Sequence, residues 1–193
     1  MQTSDTPLFE ASVLINPSIQ AVWNAWGALE LPDCWLVAGC LAQTVWNERF
    51  GLPVDYGISD LDLVYFDPSD LSEQTEQRHA QRIRHIFAEL PVWIDVKNEA
   101  RVHLWYEAKF GFPIPPYQSV LDAIGTFPTT ATTVGLRPTG HGTELCATYG
   151  LSDLFDGVVR ANKRLITREI FEAKVAKWYS RWPDLKVIPW DES

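Results

Sequence analysis

The residues with the most evident chemistry lie in Ser59-Asp60-Leu61-Asp62-Leu63-Val64-Tyr65-Phe66, where two carboxylates stand two positions apart at the mouth of an apolar, β-prone run. Alternate residues of a strand share a face, so Asp60 and Asp62 are expected to point the same way from neighbouring pleats. Like charges held that close repel, and a divalent cation between them is the usual remedy. The plainer alternative is a solvated strand entry. A third carboxylate, Asp95, interrupts the β-prone Val92-Trp93-Ile94-Asp95-Val96. A lone carboxylate inside an apolar strand is costly to bury unless it is paired or bound to metal. Lys97 and Arg101 are the nearest candidate partners; a cation shared with the other two is the alternative.

Upstream, Trp35-Leu36-Val37-Ala38 runs into Gly39-Cys40, after which Leu41, Val45 and Trp46 suit a helix that Gly51-Leu52-Pro53 ends. A helix amino terminus presents unpaired N–H groups and partial positive charge, and glycine there lets an anion approach the backbone. By itself Gly39 reads first as a tight strand-to-helix junction. A glycine at a helix start, an Asp-x-Asp strand and a single Asp on a later strand together suit phosphoryl and nucleotidyl transfer. The negative charge there exceeds what side chains can neutralise. Two metal ions about 3.5–4 Å apart, caged by bridging carboxylates, can stabilise the attacking and leaving oxygens.

The elements that must position these groups read as α/β. Asn16-Pro17 opens a helix with a cap and a first-turn proline, and Ile19, Val22, Trp23 and Trp26 give it one apolar stripe. Residues 72–89 read as a long helix, polar over Ser72 to Arg82 and packed through Ile83, Ile86 and Phe87. His79 and His85 on it project in different directions and read as ordinary surface or partly buried histidines. A further helix follows Asn98 with Val102, Trp105, Tyr106 and Lys109 inward, and residues 119–124 suit a short one. Thr129 to Leu136 reads as a strand, Gly140-His141-Gly142 as a hairpin loop and Leu145 to Tyr149 as the returning strand. The last helix spans about Thr167 to Arg181.

The composition bounds the alternatives. With 193 residues, 46% hydrophobic content and nine Trp, the chain has the material for one globular core. Sixteen basic against 25 acidic residues leave a net charge of −9, which speaks against non-specific nucleic-acid binding. Yet eight of the basic residues fall between Arg160 and Lys186 with only three acids, forming either a solvated face or a positive wall for a polyanion. Cys34, Cys40 and Cys146 show neither disulfide nor zinc spacing, and no run approaches a membrane span or a secretion signal. The expectation is a soluble, cytoplasmic protein in a reducing setting.

Gly39-Cys40, Ser59-Asp60-Leu61-Asp62-Leu63 and Ile94-Asp95-Val96 resemble the three motifs of the DNA polymerase β-like nucleotidyltransferase superfamily. Asp95 to Gly111, Thr129 to Arg137, Tyr149 to Lys163 and Trp182 to Trp190 resemble, more narrowly, a bacterial group of nucleotidyltransferase-like proteins. The resemblance implies an α/β fold over residues 1–193: a small mixed sheet flanked by helices with a carboxy-terminal strand-and-helix extension. It implies Mg2+ or Mn2+ held by Asp60, Asp62 and Asp95, with Asp95 also helping to activate the acceptor. Gly39 and the backbone of Cys40 would contact the phosphates of a nucleoside triphosphate. Two departures stand out: Cys40 where the superfamily has Ser or Gly, and a long Gly39-to-Asp60 gap that suggests a loop inserted around Leu52 to Ile58. Ser59, Arg101, Thr132, Arg137 and Lys163 are further candidates for nucleotide contacts. The expected activity is metal-dependent transfer of a nucleoside monophosphate to an unknown acceptor with release of pyrophosphate. A sugar transferase using the Asp-x-Asp pair, and a catalytically silent nucleotide- or partner-binding protein, are the alternatives.

Overall fold

A computed structural model describes residues 5–193. Two helices open the chain, α1 (Asp5–Leu14) and α2 (Pro17–Asn24), followed by β1 (Trp35–Val37), α3 (Gly39–Arg49), β2 (Asp60–Tyr65), α4 (Glu73–Ile86) and β3 (Trp93–Asn98). Then come α5 (His103–Phe110), α6 (Val120–Ile124), the hairpin β4 (Val134–Thr139) and β5 (Gly142–Ala147), α7 (Ser152–Phe155), β6 (Val158–Val159), α8 (Arg168–Tyr179) and β7 (Lys186–Val187). Five strands form one mixed sheet in the order β3-β2-β1-β4-β5, and β6 and β7 pair as a small separate ribbon. β2 and β3 run parallel, joined across the sheet by α4, and the other pairs of the large sheet are antiparallel.

Local chemistry fixes the elements. Asn16 caps α2 by accepting from the Ser18 and Ile19 N–H groups, and Ser72 caps α4 through the Thr75 N–H. Along β2 the pleat sends Leu61, Leu63 and Tyr65 into the main core with Leu36, Trp46, Ile83 and Val96. The opposite face carries Asp60, Asp62 and Val64, with Trp35, Val37, Val120 and Ile124 packed farther along.

Two expected elements begin later than their composition suggests. Thr130–Thr132 form a short 3-10 turn, and β4 starts only at Val134. There Thr132 Oγ1 donates to the Thr129 carbonyl (3.3 Å) and Thr133 Oγ1 to that of Thr130 (2.8 Å), so threonine hydroxyls bond the local backbone in place of a ladder. After Asn98, a 3-10 turn over Glu99–Arg101 precedes α5, with Asn98 accepting from the Ala100 N–H.

The loop over residues 52–58 is anchored by Asn47. Its amide donates to the Val54 and Tyr56 carbonyls (3.1 and 2.9 Å), while its oxygen accepts from Trp182 Nε1 (2.7 Å). The loop thereby holds the segment that follows α8 against α3.

Candidate active site

Parallel pairing puts Asp62 opposite Asp95, and the pleat puts Asp60 on the same face. All three carboxylates therefore leave one face of the sheet at the amino-terminal ends of β2 and β3. A cleft of about 300 Å3 opens there. Its walls include Asp60 and Asp62, Ala38 and Gly39 at the start of α3, Gln43 one turn on, and Lys174, Lys177 and Arg181 from α8 and its end. The first N–H groups of α3 have no intrahelical acceptor and face this opening with the positive end of the helix. Ala38 holds φ 63° and ψ −126°, a region that disfavours side chains. The cost of such a backbone, about 1–3 kcal/mol, is tolerated where the junction must turn sharply into the helix. A Cβ at Gly39 would approach Gln43 Nε2 to 3.2 Å, so that glycine keeps the backbone accessible.

The electrostatics call for cations. Burial raises the Asp62 carboxyl from 3.8 to about 7, and the charges of Asp60 and Asp95 add to the rise. Lys174 and Lys97 only partly offset it. Asp62 makes no ion pair or side-chain hydrogen bond among the described residues. Asp60 accepts from the Ser59 hydroxyl at 2.5 Å. Burial pulls the Lys174 ammonium below its ordinary range while Asp62 and Asp60 pull it back up. Glu99, buried behind the cleft, is pushed up to about 8 by burial first and then by Glu76 and Asp62.

Asp95 is placed differently from the other two. It is about a third exposed and pairs with Arg84 (3.5 Å) and Lys97 (3.6 Å). Arg84 is itself fixed by the Ile94 carbonyl (2.8 Å) and by stacking on Trp93 (3.9 Å). Asp95 lines an adjoining cavity in place of the cleft. Among the described residues, no three His, Cys, Asp or Glu side chains are gathered closely enough to hold a metal ion between them. Asp60 and Asp62 nevertheless fit a hard divalent cation: both offer oxygen donors on one face, and Asp62 is destabilised by like charge.

The other expected contacts divide. Gly39, Ser59 and Thr132 line the cleft. The Cys40 side chain does not; it is 1% exposed, its thiol sits 3.5 Å from the Val37 carbonyl, and burial holds it far above the usual thiol range. Arg101, suggested as a partner for Asp95 or a phosphate, is buried behind the sheet and pairs with Glu76 (2.7 Å). Arg137 spans Asp33 and Glu144 and stacks on Trp35 (4.4 Å). Lys163 donates to the Ser193 backbone oxygen (2.9 Å) beside Trp190. None of these three cations lines the cleft. Lys174, Lys177 and Arg181 do, and their spacing of three, four and seven residues, one helical face with Trp178 between, was present in the sequence.

No curated protein matches the sequence. A solved structure described as revealing a CCA-adding enzyme head domain superposes with a TM-score of 0.77, at 23% identity and with 94% of each chain covered. The two share a fold. Residues 24–187 match the model of a family described as nucleotidyltransferase, and the chain belongs to that family.

Proposed function

We propose that the cleft transfers a nucleoside monophosphate from a nucleoside triphosphate to an acceptor hydroxyl. One observation supports this above the others: Asp60 and Asp62, the amino terminus of α3 and the cations of α8 line a single cleft. Asp60 and Asp62 would hold Mg2+ or Mn2+, which when bound supplies charge neutralisation at the phosphates. The α3 N–H groups beside Ala38 and Gly39 receive phosphate oxygens. Lys174, Lys177 and Arg181 face the triphosphate tail and stabilise the departing pyrophosphate. The acceptor oxygen attacks the α-phosphorus, the bond to the bridging α–β oxygen breaks, and the acceptor proton passes to Asp95. Incubation with labelled nucleotides, magnesium and candidate acceptors tests the reading. Asp62→Asn is expected to lower transfer at least about 100-fold; unchanged transfer in that variant overturns the assignment.

A second reading draws on the pairing of Asp95 with Arg84 and Lys97, which suits a scaffold that binds nucleotide without chemistry. Calorimetry separates the two. Manganese binding that vanishes in Asp62→Asn favours transfer, and a folded protein that binds nucleotide but no manganese favours the silent form.

A further inference from the structure

A second cavity, of about 270 Å3, adjoins the aspartate cleft. The two share a wall of Lys97, Glu99, Phe127 and Pro128. Their chemistry differs. The cleft receives the three cations of α8, whereas the neighbour is lined chiefly by rings and aliphatic groups, with Trp105, Tyr106 and Phe110 from α5 facing Phe127. Its ionisable groups are mixed, Asp95 and Glu99 beside Lys97 and Lys109, so it has no single-sign wall like that of α8.

Glu99 sets the polar requirement. It is 6% exposed, lines both cavities, and its carboxyl makes no hydrogen bond or ion pair among the described residues. Its oxygens are not sealed inside the protein but open into the cavities, where a ligand donor can bond them. The two hydroxyls in the wall, those of Tyr117 and Thr126, are already bonded to each other (2.7 Å), and Thr126 also reaches the Ala123 carbonyl (2.8 Å). A nucleobase offers several polar edges and would find few partners here. A ring bearing one hydroxyl finds aromatic walls and one acceptor.

We propose that this cavity is the acceptor subsite, taking a small uncharged molecule with a flat aromatic ring whose hydroxyl hydrogen-bonds to Glu99 at the shared wall. The assignment rests on the nucleotidyl-transfer reading. In that reaction the hydroxyl turns its hydrogen from Glu99 to Asp95, the aryl oxygen forms a bond to the α-phosphorus as Asp95 takes the proton, and pyrophosphate leaves with the electrons of the α–β bridge. The product is an aryl nucleotide ester. Asp95 lines this cavity and not the cleft, which places the third carboxylate on the acceptor side.

Ligand-observed NMR with 4-methylphenol and toluene on the full chain provides the test, beside calorimetry with a non-hydrolysable nucleoside triphosphate and magnesium. The folded wild type is expected to bind 4-methylphenol saturably and about fivefold tighter than toluene, the value of one hydrogen bond. Glu99→Leu should erase that preference while toluene still binds. Trp105→Ala, at a half-exposed position, should weaken ring binding by about tenfold and change the nucleotide affinity less than about twofold. Nucleotide binding without saturable ring binding overturns the subsite alone, as does an equal loss of nucleotide affinity in Trp105→Ala, which would make the cavity a base pocket. Ring binding with no nucleotide binding sinks the transfer reading and the acceptor role with it.

Discussion

Asp62 is held in a position that favours its neutral form, and the sign of that cost is measurable. Its carboxyl titrates near 3.8 when unfolded and about 7 when folded. Well below pH 3.8 both states are protonated and the group contributes nothing. Between these values the folded state binds the extra proton, so stability falls as pH rises and the full cost is present above pH 7. Asp62→Asn is therefore expected to raise the melting temperature by a few degrees at pH 8, equivalent to about 1 kcal/mol or more, and to have a much smaller effect at pH 4. Magnesium added at pH 8 should stabilise the wild type and not the variant, because only the charged pair gains from the cation. A variant less stable at pH 8 would mean that a favourable partner holds the carboxylate. That Asp60 and Asp62 share a face was legible, because strand alternation needs only local sequence, whereas Asp95 comes opposite Asp62 through the parallel register of β2 and β3. The fates of Arg101, Arg137 and Lys163 were not, since their partners Glu76, Asp33 and Ser193 lie 25, 104 and 30 positions away.

At the scale of the element, α8 turns a chain-wide excess of acid into a local positive wall. The surplus of cations between Arg160 and Lys186 is visible in the sequence, but its direction is not, because helical phase says which residues share a face and not what that face meets. Packing supplies the answer. Phe171 and Trp178 are buried in the core, and that anchors the helix with Lys174, Lys177 and Arg181 toward the cleft. Arg181 also donates to the Gly57 carbonyl (2.7 Å), so the loop that lengthens the Gly39-to-Asp60 gap helps to hold the wall in place. Gly57 at φ +70°, with Trp182 2.9 Å from a would-be Cβ, leaves that loop no room for a side chain. Lys177 is exposed and offers the cleanest test. Lys177→Ala should weaken nucleoside triphosphate binding by about five- to tenfold at low salt, with the difference shrinking as ionic strength rises. Its melting temperature should stay near that of the wild type. An unchanged affinity at low salt would assign α8 to solvent.

At the scale of the molecule, the question is whether the carboxy-terminal extension is a separate unit or part of one core. The packing favours one core. Trp46 of α3 lies edge-on to Trp178 (5.4 Å) and Trp182 (5.9 Å), and its indole donates to the Leu154 carbonyl (3.1 Å). Trp182 in turn donates to Asn47, and a single apolar cluster runs from Phe9 through Leu63 to Leu185. The amino-terminal helix, the sheet and α8 therefore share buried surface, and removing any of them exposes indoles that the others cover. The cation wall is thus packed on the same core as the sheet that carries the aspartates. Such a chain is expected to unfold in one step. Tryptophan fluorescence, which sums nine indoles including the Trp46, Trp178 and Trp182 cluster, and far-ultraviolet circular dichroism, which reports on all helices, should give coincident denaturant midpoints and slopes. Asn47→Ala, which strands the Trp182 N–H and the Tyr56 carbonyl and leaves the Val54 carbonyl only its 3.5 Å contact with Asn16, should shift both curves together by about 2–4 kcal/mol. A fluorescence transition that precedes the loss of helix in that variant would show the extension detaching as its own unit, with the cationic wall leaving the site before the sheet unfolds.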